Sequence, residues 1–78
     1  MAISELEWLD IFSGNLRDLL KEARMTQTDL AEMTGIPKSS ISRYIKGQRI
    51  PSVTTIIKMA YALDCSVEDL IDFGDIVE

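Results

Sequence analysis

An all-α chain of five helices is predicted by three features of this sequence. It has three self-capping helix starts, apolar residues at helical spacing, and no surviving run of strand-like alternation. Ser4–Glu5–Leu6–Glu7, Thr26–Gln27–Thr28–Asp29 and Ser66–Val67–Glu68–Asp69 each place a hydroxyl three residues ahead of a carboxylate. In such a capping box the hydroxyl accepts from the amide three residues on, and the carboxylate accepts from the cap's own amide. The flanking pairs Ile3/Trp8, Met25/Leu30 and Cys65/Leu70 occupy the two positions of a hydrophobic staple.

The first helix is expected over about residues 5–24, with Phe12, Leu16, Leu19, Leu20 and Ala23 as its buried stripe. Gly14 weakens its middle and marks Ser13–Gly14 as the place for a kink or break. The second helix, about 27–34, turns Leu30, Ala31 and Met33 inward and stops at Gly35, suited to the left-handed position past a helix end. Pro37 fits the first position of a third helix, where its missing amide costs nothing. That helix runs to about Lys46 and ends at Gly47. Pro51–Ser52 opens a fourth, about 53–63, with Ile56, Ile57, Ala60 and Leu63 inward. Asp64 takes the left-handed position after it, at some cost because it carries a Cβ. A short fifth helix, about 67–72, precedes an acidic tail over 73–78 that begins near Gly74.

Length and composition narrow the function. Seventy-eight residues make one small domain with a modest core, and 46% hydrophobic residues with few Gly or Pro indicate a folded chain. The apolar runs are too short to span a membrane, and the N-terminus lacks the basic start and apolar core of a signal peptide. Cys65 is alone, which excludes an intrachain disulfide and makes the cytoplasm the expected location. There is no His, the commonest general base and metal ligand, and no nucleophile–base pair or phosphate-cradling glycine loop. No catalytic residue, metal or cofactor is expected.

Charge position says more than the net charge of −5. Residues 1–32 hold three cations and seven acids, residues 33–63 hold five cations and no acid, and residues 64–78 hold six acids and no cation. Most charge runs are solvated helix faces. Here the clearing of acids coincides with a motif, and an anion-facing surface is the stronger reading.

The motif lies between helices two and three. Three or four residues around Gly35 make the connection of a helix-turn-helix. Ala31 is small, as the crossing of helix three demands, and Gly35 accepts positive φ. Ile41 and Tyr44 are the apolar anchors that tie helix three to the domain.

These residues resemble the lambda-repressor/Cro-like helix-turn-helix regulators of phages and bacteria. The matching stretches are "NLRDLLKEARMTQTDLAEMTGI", "SSISRYIKGQRIPS" and "IIKMAYALDCSVEDLI", covering roughly residues 15–71. The resemblance implies a compact five-helix domain with an N-terminally extended first helix. It implies that Gln27 contacts a DNA phosphate and braces the recognition helix. It places Lys38 and Ser39 at the first base-reading turn, Ser42 and Arg43 one turn on, and Lys46, Gln48 and Arg49 where backbone phosphates are gripped. The residue chemistry agrees. Lys38, Ser39, Ser42, Arg43 and Lys46 recur on one helical face opposite Ile41, Tyr44 and Ile45. Short serines allow close approach to a groove, and Arg43 can fork onto guanine O6 and N7.

The sequence also departs from the family. Many relatives pair an Arg of helix one with a Glu near the end of helix three; those positions here are Leu20 and Ile45. An apolar pair can replace a buried ion pair at little net cost, because no charge is desolvated. A half-exposed Ile45 is the alternative. The segment "MAISELEWLDIF" extends helix one beyond the usual core, and Trp8 and Phe12 share a face four residues apart. They are expected as added core, packed against the C-terminal helix or Ile76 and Val77; the alternative is a dimer or partner surface.

The expected function is therefore a sequence-specific, double-stranded-DNA-binding transcriptional regulator of phage or mobile-element type, more often a repressor by the family's habit. The partner is a DNA operator. The resemblance also implies dimers on inverted half-sites; a homodimer here is expected to be weak or formed on DNA, with Trp8 and Phe12 or the C-terminal helix as its candidate surface. The rival is a protein-interaction module such as an antitoxin-like regulator, which the sequence pI of about 4.5 favours.

Overall fold

The computed structural model describes residues 4–72. They form α1 (Glu5–Ala23), α2 (Gln27–Thr34), α3 (Lys38–Ile45), α4 (Val53–Ala62) and α5 (Val67–Leu70), with no strand among them. All three capping boxes close: Ser4, Thr26 and Ser66 accept from the amides of Glu7, Asp29 and Asp69, whose carboxylates accept from the cap amides. Ser52 caps α4 by accepting from the Thr55 amide at 3.1 Å. Only α3, among the described helices, starts without a side-chain cap. Its N-cap is Pro37, with extended backbone, so the helix begins one residue later than predicted.

The helix ends follow one pattern. Arg24 (φ 56°) and Asp64 (φ 53°) take left-handed positions beyond α1 and α4. The next amides, Met25 and Cys65, then reach back to the Leu20 and Ala60 carbonyls at 3.0 Å. This closure satisfies carbonyls that a helix end would otherwise orphan. The break allowed for at Gly14 does not occur, and α1 runs continuously through it. The hydrogen bonds of a long helix packed along one side keep it continuous despite the poor propensity of one glycine.

Every helix contributes to one core: Phe12 and Leu16 of α1, Leu30 of α2, Ile41 of α3, Met59 of α4 and Leu70 of α5 are fully buried. Trp8 stacks on Phe12, with ring centroids 5.2 Å apart and planes 8° from parallel. The N-terminal extension is thus added core. Burying a side chain of this size is worth about 1.5–3 kcal/mol, a large share of a small domain's stability. Phe12 has no exposed surface, so it cannot form the alternative dimer contact. Asn15 of α1 locks down the end of α5, its Nδ2 donating to the carbonyls of Leu70 at 2.9 Å and Asp72 at 3.0 Å. With the Leu70 carbonyl taken there, α5 stops at Leu70, short of the predicted end at 72.

Three residues predicted inward point out instead, the first being Ala23, exposed in the last turn of α1. Met33 is 63% exposed and Ile57 is 50% exposed. The inward side of α2 is Leu30 with half-buried Gln27, Ala31 and Thr34, and that of α4 is Ile56, Met59, Ala60 and Leu63. Both follow an i, i+3, i+4, i+7 pattern that leaves Met33 and Ile57 one position outside. Ile3, Ile76, Val77 and the tail from Gly74 lie outside the described residues.

Two glycines separate propensity from geometry. A Cβ at Gly14 would meet Arg17 Nη2 at 3.9 Å, an ordinary contact. Gly14→Ala should therefore raise stability by about 0.4–1 kcal/mol. Gly47 has φ 70°, and a Cβ there would approach Ser13 Oγ to 3.3 Å and the Leu9 carbonyl to 3.7 Å. Gly47→Ala should lower stability by about 1 kcal/mol or more. Thermal unfolding of the two variants checks both signs.

Candidate nucleic-acid interface

The turn between α2 and α3 is fixed locally. Thr34 Oγ1 donates to the Leu30 carbonyl at 2.7 Å and accepts from the Ile36 amide at 3.2 Å. Gly35 turns the chain at φ 74° with open space where a Cβ would stand, so conformation and not crowding requires glycine. From there α3 is strongly two-sided. Ile41 and Tyr44 are buried, whereas Lys38, Ser39 and Arg43 are exposed and Ser42 is half-buried.

The far end of α3 is closed by Gly47. Its amide donates to the Tyr44 carbonyl at 3.2 Å, and the Gln48 amide donates to the Arg43 carbonyl at 2.9 Å. The close approach of Gly47 to Ser13 and Leu9 seats this turn on α1. Ser13 is buried there, its hydroxyl satisfied by the Asp10 carbonyl at 3.0 Å. A further grip comes from Arg17 of α1, whose Nη1 donates to the Ile45 carbonyl at 2.8 Å.

The predicted contact residues fall into four places. Gln27 and Lys38 line one groove of about 600 Å³ together with Arg17, Lys21, Thr26 and Thr28, floored by Leu20, Met25 and Ile45. That groove contains no acid. Leu20 is buried and Ile45 half-buried, so the apolar pair stands where an ion pair was the family's habit. Ser39, Ser42 and Arg43 lie along α3 itself. Lys46 sits apart, lining a second groove of about 390 Å³ with Leu6, Glu7, Asp10 and Gly47. The acids absent from the local sequence thus return in space beside this lysine. Gln48 and Arg49 are exposed in the following loop. Arg49 folds back onto α3, Nη1 donating to Ser40 Oγ at 3.2 Å and its guanidinium lying 6.0 Å from the Tyr44 ring centre.

Arg17 and Lys21 were not among the predicted residues. A signal for them existed: the three cations of the first 32 residues, Arg17, Lys21 and Arg24, fall at i, i+4 and i+7, one side of a helix. The start of α2, which positions Gln27, is electrostatically reinforced. The Thr26 backbone amide, and secondarily its hydroxyl, hold the Asp29 carboxyl below the usual carboxylate range.

Residues 16–70 match the helix-turn-helix family profile. The chain belongs to that family. It is 39% identical over 57 residues to the SPbeta prophage-derived uncharacterized HTH-type transcriptional regulator YopS of Bacillus subtilis (strain 168), spanning 72% of this chain and 77% of that one. It is 33% identical over 61 residues to the uncharacterized HTH-type transcriptional regulator YqaE of the same organism, covering 78% of this chain but 53% of YqaE. Its fold superposes with TM-score 0.77 and 34% identity on the crystal structure of the restriction-modification controller protein C.AhdI from Aeromonas hydrophila, over 80% of this chain and 94% of that one. This helix-turn-helix protein is a DNA-binding transcriptional regulator. No described helix is long and apolar enough to cross a membrane.

The Asp29 cap carries a pH signature. Because its folded pKa is lowered, its stabilisation is full above the ordinary carboxylate value near pH 4 and is lost as pH falls through the lower folded value. Asp29→Asn should flatten the acid limb of a stability–pH curve measured by urea unfolding, and leave fewer protons taken up on acid unfolding.

Proposed function

We propose that this regulator recognises a specific double-stranded DNA operator by placing α3 in the major groove, and that it acts as a repressor of phage or mobile-element type. The carrying observation is the sidedness of α3. Lys38, Ser39 and Arg43 are solvent-facing on a helix whose other side is anchored by buried Ile41 and Tyr44. Arg43 is the residue best suited to guanine, and Lys38 reaches the same major-groove acceptors. Ser39 and Ser42 allow close approach. Gln27, at the acid-free groove, and the Lys46–Gln48–Arg49 loop hold backbone phosphate on either side. The prophage origin of YopS supports the mobile-element reading. Residues 1–78 act as one domain in the cytoplasm, as a weak or DNA-induced homodimer on inverted half-sites about one helical turn apart.

One observation favours a second, protein-binding role. Met33, Ile57 and Tyr61, the last 89% exposed, line an apolar groove with Thr34, Lys58 and Ala62. Exposed apolar surface of this kind marks interfaces.

Selection from a random duplex pool should return a discrete half-site, repeated as an inverted pair if the dimer forms. Arg43→Ala should cost about 1–3 kcal/mol on that operator and relax preference at one base pair. Lys46→Ala should weaken all duplexes alike and lower the log K against log salt slope by about 0.9. Absence of duplex binding at low salt, or binding indifferent to Lys38→Ala with Arg43→Ala, leaves the protein-interaction role instead.

A further inference from the structure

We infer that Arg17 is a positioning residue for DNA reading, which sets the pose of α3 through the Ile45 carbonyl without being a DNA ligand itself. This rests on the DNA-reading role of α3 proposed above.

Three observations carry it. The turn at Gly47 leaves a specific vacancy in the hydrogen bonding of α3. The Ser42, Arg43 and Tyr44 carbonyls are taken by the amides of Lys46, Gln48 and Gly47. The next carbonyl, Ile45, receives Arg17 Nη1 at 2.8 Å from a helix 28 residues earlier in the chain. A cation at that end also complements the negative pole of α3.

The path of the side chain is the second observation. Helical side chains lean toward the N-terminus of their own helix. Arg17 follows this rule, and its Nη2 lies 3.9 Å from where a Cβ of Gly14 would be. The guanidinium therefore rests beside the one residue of that turn without a side chain while its other nitrogen reaches Ile45.

The third is what replaces Arg17 if it lets go. At the family's usual pinning positions stand Leu20 and Ile45, which pack but cannot orient through a directed bond. Ile41 and Tyr44 decide which side of α3 faces in, but apolar contacts are non-directional and resist small rotations about its axis less sharply than a directed bond does. Arg43 and Lys46 flank Ile45, so small rotations of the last turn move a base reader and a phosphate grip together. The bond is exposed, so its loss costs little folding stability while still changing where those side chains point.

The test compares the full-length chain with Arg17→Met and Arg17→Lys on two duplexes, the selected operator and a scrambled one, across a salt series. Arg17→Met should lower operator affinity about three- to ten-fold, the span expected of one ordinary hydrogen bond, because solvent weakens the charge's contribution at this exposed site. Affinity for the scrambled duplex and the salt slope should stay unchanged. Amide exchange at Lys46, Gly47 and Gln48 should quicken in the absence of DNA, and Arg17→Lys should restore part of both effects. Equal weakening on both duplexes with a slope lower by about 0.9 would make Arg17 a phosphate ligand and overturn the inference. Unchanged operator affinity would overturn it too. If the wild-type chain fails to discriminate the duplexes, the DNA-reading proposal fails, while the exchange measurement still decides whether Arg17 holds the end of α3.

Discussion

The burial of Ile41 and Tyr44 is the constraint on which the rest of this molecule depends. An eight-residue helix is about 12 Å long and does not survive alone in water. Its composition makes matters worse: three of its residues are serines, which compete for the backbone's own hydrogen bonds, and no side chain caps its start. Yet short side chains are what a surface needs to approach a groove closely. The two demands are reconciled by separating them around the helix. Burial on one side stabilises α3 enough to carry residues on the other that would never stabilise it themselves. The neighbouring elements serve this end, Gly35 by turning α3 across α2 and Gly47 by seating its end against α1.

Electrostatics then divides the exposed surface more sharply than the sequence does. The groove joining α1, the start of α2 and the start of α3 brings Arg17, Lys21 and Lys38 together with no carboxylate. The opposite end of α3 is different, since Lys46 shares its groove with Glu7 and Asp10. A cation facing acids attracts a phosphate less than one facing open solvent, at the close range where salt does not screen. The two ends of α3 therefore differ in the attraction they offer an anion, with the stronger pull beside Lys21 and Lys38. Net negative charge elsewhere reduces attachment to arbitrary polyanions.

How much of this was legible follows from what each signal depends on. Capping boxes and left-handed stops are local, and they placed α2 to the residue and α1, α3 and α4 within one. The core anchors were legible because Ile41 and Tyr44 repeat with the helix. Met33 and Ile57 were misread because apolar character alone does not fix which side of a helix faces in; the neighbouring helices do. The cluster around Gln27 was half legible. Gln27 and Lys38 carry a recognisable spacing, whereas Arg17 and Lys21 reach the groove only through the crossing of α1 over α3, a contact across 28 residues that no local pattern encodes. Arg49 shows the same limit: its place in the loop was legible, but not its return to Ser40 and Tyr44.

The exchange of an ion pair for Leu20 and Ile45 changes the kind of work left for α1. A buried Arg–Glu pair does two jobs, since it fills space and fixes direction, and it must be desolvated to do either. Leu20 and Ile45 fill the space without that penalty but supply no directed bond. Direction then has to come from a bond whose acceptor carries no net charge, and a backbone carbonyl at a helix end is such an acceptor. Arg17 can supply it from solvent, where its charge remains hydrated and its release leaves no buried charge unpaired. If Arg17 positions α3 as inferred above, aim is held at the rim of the domain and stability in its interior, by different residues.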